Sequence, residues 1–311
     1  MTAAGRDAVL ERERRWRVPV AAATFAAIAL VVASMVVISG VGGDGEAEVL
    51  RAVDQHSSDI TIAGILRALG MALLVLPLTY LFRAAQARSD RVRGQLIGLI
   101  VIAPLFLAGG TLLNSVATTE AADEFVAGKV SADLTANEAT SECRDDRRDD
   151  AEQFREDFGS GTAAFDDCAS EKLNDDAATN AFTEASSRGL ATGLGLAGSI
   201  GLAFGLAYSC LWAMRVGLLT RFWGSLGMAL GVAALLQLIQ FSMLWFLYFA
   251  FLLLGWVPGG RPPAWAAGEA IPWPTPGEKA ASSFEGEADV DRPDGPIEPP
   301  AEDERMPKQS D

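Results

Sequence analysis

Residues 222–256 read FWGSLGMALGVAALLQLIQFSMLWFLYFAFLLLGW, thirty-five residues from Phe222 to Trp256 without a charge, a proline or a histidine. A helix rises about 1.5 Å per residue, so a single helix of this length would reach about 52 Å against a hydrocarbon core of about 30 Å. One crossing would need extreme tilt. Two crossings of about 17 residues fit, at the short end of the spanning range. The expected divide is Gln237–Ser242, where Gln237, Gln240 and Ser242 cluster the polar side chains. Neither Gly nor Pro marks that turn, which counts against it.

Outward from this run, apolar blocks of about 20 residues alternate with highly charged ones, the distribution of an integral membrane protein. The net charge of −15 over 311 residues is uneven, with −12 falling in residues 118–188. Residues 1–17 form a charged N-terminal segment with Arg12, Arg14, Arg15 and Arg17 at its end. The block Val18–Ser39 has a basic front, but its apolar core is too long for a secretory signal. Gly40–Gly45 offers no small-residue cleavage pattern either. It is expected to be an uncleaved first transmembrane helix with a cytosolic N-terminus. Gly40–Asp59 follows as a short acidic outer loop.

Ile60–Phe82 and Gln95–Ala117 form the second and third helices, joined by a basic loop with Arg83, Arg88, Arg91 and Arg93. Pro77 and Pro104 each remove a backbone donor and can bend their helices. Leu190–Ala213 is the fourth helix, and Met214–Arg221 a short turn with Arg215 and Arg221. Counting Arg and Lys places these basic loops in the cytosol and the acidic segments outside. Six crossings return the C-terminus to the cytosol, and five would put it outside. The expected fold is all-α: a plasma-membrane protein of six transmembrane helices (residues 18–117 and 189–257) with a small helical extracytoplasmic cap (118–188). Residues 258–311, rich in Pro, Gly and acid, are expected to be a disordered cytosolic tail. Trp256, Trp265 and Trp273 near its start suit a membrane interface.

Ala213–Gly224 reads AMRVGLLTRFWG, and Gly255–Pro276 reads GWVPGGRPPAWAAGEAIPWPTP. On these stretches the chain resembles a group of uncharacterised multi-pass membrane proteins of actinobacteria. That group shares a cytosolic GLLTRF turn and a PGG-PPAW…PWP segment after the last helix. The resemblance covers roughly 189–276 and implies topology and class; it implies no activity, and the acidic loop is larger than the group's usual connection.

The acidic segment is sparse in large apolar residues, so its inventory cannot stabilise a large core. Phe154 and Phe158 stand one helical turn apart. Cys143 and Cys168, placed outside, read as a disulfide; two unrelated thiols is the alternative, favoured if the loop is cytosolic.

Gly198, Gly201 and Gly205 recur at i, i+3, i+7, and Gly224, Gly227 and Gly231 repeat that spacing. Small residues let backbones approach closely in lipid. The fourth and fifth helices are expected to pack glycine face to glycine face, with a homo-oligomer contact as the alternative. Arg67 is the ionisable residue well inside a span, and intramembrane charges face protein or water. It either snorkels to the outer interface with a structural partner or joins Asn114, Gln237 and Gln240 in an outer polar cluster for an anionic or polar group.

No span carries Asp or Glu, against an ordinary ion-coupled transporter. His56 is the single histidine, which excludes a multi-histidine metal site, and no H-E-x-x-H, G-x-S-x-G, P-loop or EF-hand pattern is present. No cofactor is implied, and the lack of a basic surface outside short loops disfavours nucleic acid. The sequence therefore reads as a non-enzymatic structural or interaction component of the envelope, whose partners are the lipid bilayer and unidentified proteins. The alternative is a permease-like component using the Arg67 cluster.

Overall fold

A computed structural model describes residues 3–273 except 44, 162 and 237, without the side chains of Ala3 and Ile239. Residues up to Pro272 form one unit; Trp273 is the one described residue of a second. Among the described residues every regular element but one short 3-10 turn is an α-helix. Four stretches are long and apolar enough to cross a membrane: Ala4–Val37, Ser57–Gln86, Gly94–Val126 and Arg188–Arg215. Their outward faces carry exposed Val36, Leu69, Phe106, Leu196 and Phe204, as lipid-facing helices do.

The first stretch is α1 (Ala3–Val37), one helix through Pro19. The charged residues 3–17, expected to stand apart, are its opening turns. The second stretch is broken: α3 (Ser57–Leu73) and α4 (Val75–Gln86) meet at Leu74. Pro77 explains the break, because its ring excludes the carbonyl of Leu73 and it offers no N–H. Pro104, by contrast, lies within the unbroken α5 (Ile97–Val126). The Leu74 break lets α4 lean inward, and Leu78, Leu81, Phe82 and Ala85 are completely buried or nearly so.

The long apolar run folds back on itself. α10 (Arg221–Leu235) and α11 (Ile239–Leu254) are joined through residues 236–238, at the leading edge of the expected divide. Trp245 of α11 donates to the Trp223 carbonyl (2.9 Å), and Trp223 stacks on Tyr248. The end of α11 therefore returns to the end where α10 begins. At 15 and 16 residues they are shorter than the other four stretches. With α9 (Arg188–Arg215) they complete a ring in chain order: α1 packs on α3, α3 on α5, α5 on α9, α9 on α10, α10 on α11, and α11 back on α1. Phe25 and Phe251 close that last contact edge to face. α4 touches α1, α5, α9 and α11 and fills the inside at the basic end.

The glycine faces do not meet each other. A Cβ on Gly198 would strike the Leu107 nitrogen and the Ala103 carbonyl, and one on Gly201 the Ala103 side chain, so this face of α9 lies on α5. Gly205 likewise faces Ile100. The α10 glycines do lie on α9, but on its other side. Gly231 faces the Ala203 carbonyl, Gly227 the Cys210 sulfur and Trp245, and Gly224 the Met214 side chain. α9 is small-sided on two faces, so it sits between two neighbours rather than pairing with one.

Beyond the acidic end of the bundle lies a second helical layer. The expected outer loop contains α2 (Glu46–Gln55), whose Ala47, Leu50 and Val53 recur on one buried face. α5 runs past Ala117 to Val126 and meets α2 and α8 (Ala163–Glu184). Their shared core is mostly alanine: Ala117, Ala121, Ala178 and Ala181 surround Leu50. A second small core joins α8 to α6 (Ala136–Asp149) and α7 (Ala151–Phe158), around Ala139, Phe154 and the two cysteines. Cys143 and Cys168 stand at disulfide distance, with Cα atoms 6.1 Å apart.

Candidate functional site

The polar residues singled out from the sequence do not converge. Arg67 is half-buried and its Nε donates to Ser34 Oγ of α1 at 3.4 Å. Ser34 also donates to the Val31 carbonyl (2.7 Å), so Arg67 is tied to a helix partner. Asn114 and Gln240 are exposed on α5 and α11. Neither is hydrogen-bonded to Arg67, and Gln237 lies outside the described residues.

The dense polar site lies at the opposite, basic end, where the sequence shows only charged loops. Arg88 sits in the loop after α4 with its side chain 0% exposed. It forms a bidentate pair with Glu13, one arm of which (Nη2 to Oε2) is 3.0 Å. The same guanidinium donates to the Ala264 carbonyl (3.2 and 3.0 Å) and the Ala84 carbonyl (2.9 Å), and lies over the Trp265 ring. Tyr80 stacks on that ring and donates to the Glu13 carbonyl at 3.1 Å. A buried charge is tolerated when paired and fully hydrogen-bonded, and this one is.

Ala264 and Trp265 belong to α12 (Ala264–Ala267), in the stretch expected to be disordered. Residues 257–272 instead fold across the basic end. Trp265 is buried, not interfacial, and donates to the Leu218 carbonyl at 2.9 Å. Ile271 donates to the Val216 carbonyl at 3.1 Å. The GLLTRF turn thus receives the PPAW segment: Leu218 and Leu219 are completely buried, and Thr220 caps α10. Gly217 has φ +80°, and a Cβ there would overlap the Ile271 carbonyl, so only glycine lets the two strands of chain meet. The remainder of the expected tail, 274–311, lies outside the described residues.

At the acidic end the second layer is tied down by carboxylates. Asp175 of α8 accepts from the Ala47 amide (2.9 Å), capping α2 from another helix, and Thr179 donates to Glu46 (2.6 Å). A Cβ on Gly45 would touch the Asp175 oxygens, so glycine leaves room beside that cap without the carboxylate having to shift. Glu120 accepts from the Ser186 amide and hydroxyl and from Ser187, fixing the entry to α9. Lys172 bridges Asp146 (3.0 Å) and Glu142 (3.6 Å) between α8 and α6. The hydrogen bond to Asp146, then its charge and that of Glu142, hold the Lys172 pKa above its ordinary value against partial burial. A groove of about 960 Å3 runs between α2 and the α7–α8 region, bordered by Arg51, Gln55, Asp157, Asp167 and Asn174. Among the described residues no His, Cys, Asp or Glu set is arranged to hold a metal ion.

These polar groups position helices, and the groove offers a surface. Such chemistry suits holding and docking. No protein-family model, no curated protein and no solved structure matches this chain.

Proposed function

We propose that this chain is a non-enzymatic plasma-membrane protein that displays a rigid helical cap for a protein partner. The observation that carries this is the mounting of the second layer. α5 continues unbroken from the bundle into it, and the Asp175 and Glu120 contacts fix its remaining helices. In this reading α10 and α11 each cross, giving six spans, with both chain ends at the cytosolic, basic side. The two short helices match a locally thin bilayer, at a modest cost per ångström of mismatch. The cap is external, and Cys143–Cys168 is its disulfide. Kinship with the actinobacterial group is part of the same proposal, supported by the packing of the two stretches that carry the resemblance.

One experiment tests both placement and role. Photo-crosslinking residues replace Gln55 and Asn174 on the groove and Leu244 on the outward face of α11, in intact cells. In parallel, Cys143 and Cys168 are alkylated from outside before and after reduction. The proposal expects cysteine labelling only after reduction, and discrete protein adducts from the groove but not from Leu244. Free labelling without reduction rejects the disulfide. Adducts of equal pattern from all three positions, or none from the groove, reject the display role.

A further inference from the structure

The corner between α1, α4 and the α12 segment holds two cavities beside the Glu13–Arg88 pair. One, of about 210 Å3, is lined by Arg14, Arg17, Arg261 and Trp265. The other, also about 210 Å3, is mostly apolar, with Val9, Trp16, Val20 and Leu76 on its walls and Arg12 and Arg83 among its lining. Both include Glu13 and Tyr80, so they lie side by side.

The first cavity is electrostatically incomplete. Glu13 is its one carboxylate, and Arg88 occupies both of that carboxylate's oxygens. Arg14, Arg17 and Arg261 have no ion-pair partner among the described residues. The Arg17 Nε is buried with no hydrogen-bond partner. Burial, and then the charge of Arg17, hold the Arg261 pKa below its ordinary value. Arg17 is half-buried and Arg14 and Arg261 are exposed; solvent screens their mutual repulsion in part, and an anion between the three guanidiniums offsets the rest. The second cavity is open to the outside of the bundle at the level where the apolar part of α1 begins, and Trp16 is half exposed there.

We propose that this corner binds an anionic phospholipid of the leaflet at the basic end, its phosphate between Arg14, Arg17 and Arg261 and an acyl chain in the adjoining apolar cavity. A guanidinium fork matches phosphate oxygens bidentately. Basic pockets between membrane helices select anionic head groups over zwitterionic ones. The apolar cavity gives the chain a place that a soluble phosphate cannot use. Bound this way, the lipid bridges α1 to the α12 segment and converts their mutual repulsion into a shared contact.

The test uses the full-length protein in detergent, with native mass spectrometry and thermal unfolding. The probes are phosphatidylglycerol, phosphatidylcholine and inorganic phosphate. Phosphatidylglycerol should be retained about tenfold or more over phosphatidylcholine, the effect of one charge-assisted contact, and should raise Tm. Arg17→Gln with Arg261→Gln should abolish that preference. Arg14→Gln, at an exposed position that folding does not need, should weaken it alone. Arg215→Gln, at the same end but lying over Trp212, should leave it unchanged. Equal retention of the two lipids overturns the proposal, as does a preference that survives the double substitution. Inorganic phosphate giving the same stabilisation assigns the site to a soluble anion instead. Binding seen only after removal of residues 274–311 assigns it to the chain's own acidic segment.

Discussion

Replacing Glu13 with alanine should destabilise the protein by about 3 kcal/mol, the lower end of what removing one partner from a buried ion pair costs. The lower end follows from the geometry. Arg88 is fully enclosed and loses both contacts to Glu13, but the Ala264 and Ala84 carbonyls still solvate its charge. Glu13→Gln keeps an acceptor and should cost about 1–2 kcal/mol. Arg88→Met alone leaves the Glu13 carboxylate and the Ala264 and Ala84 carbonyls without their donor, at least about 3 kcal/mol again. The double change Glu13→Leu with Arg88→Met removes both charges and leaves the Ala264 and Ala84 carbonyls without their guanidinium donor. It should cost about 1–2 kcal/mol, far below the sum. The assay is reversible unfolding in mixed micelles titrated with SDS, read by tryptophan fluorescence, where Trp265 reports the same corner. Single substitutions within about 0.5 kcal/mol of the parent, or costs that add within that margin, would refute the pairing.

Two further measurements probe other parts of the structure. A Cβ on Gly110 of α5 would meet the Gly195 amide and the Ala191 carbonyl of α9, both backbone, so Gly110→Ala should cost about 1–3 kcal/mol in the same assay. Gly193→Ala, on the same α9 but with open space at its Cβ, should instead stabilise by about 0.5–1 kcal/mol. Equal effects would show that α5 and α9 do not approach there. The Lys172 bridge has a pH signature. Its folded pKa is raised, so its contribution is complete below the ordinary lysine value of 10.5 and fades as pH climbs through the raised one. The stability difference between the parent and Lys172→Met, read as a difference in Tm, should be full below that window and shrink across it; a difference that does not change with pH would remove the bridge from the account.

Much of the membrane layer was legible because lipid imposes a simple rule: long, uncharged, periodic blocks. The doubling back of 222–256 followed from length alone; proline chemistry pointed equally to bends at Pro77 and Pro104, and the helix breaks only before Pro77. What the sequence hid was packing among small residues. The 118–188 segment looks too poor in large side chains to build a large core, and the cores it joins are small; Ala121, Ala178 and Ala181 add to Ala117 by letting helices approach closely around Leu50 of α2. Counting only large apolar residues misses that. α2 was hidden because its ten residues look like an acidic loop until Ala47, Leu50 and Val53 are seen on one face. The α9 glycines were visible, but their partner was not. Spacing identifies a smooth face and says nothing about which neighbour it meets.

The arginines at the basic end show why charge counting alone misjudged that region. By count, Arg88 is one more basic loop residue and 257–272 one more Pro- and Gly-rich tail. In the fold they depend on each other: Arg88 can be buried because Ala264 offers its carbonyl, and Trp265 is held because Leu218 accepts its indole N–H. This also bears on the permease-like alternative. The inside of the ring at this end is filled by Leu78, Leu81 and Phe82, and the α12 segment covers it. A solute passing through the bundle would have to displace both, with α4 swinging about the Leu74 break and the Glu13–Arg88 pair parting. That motion exposes a desolvated ion pair, so its barrier and the stability measured in the Glu13 and Arg88 variants draw on the same contacts. Variants that loosen the pair should therefore ease any such opening, whereas a display scaffold gains nothing from it.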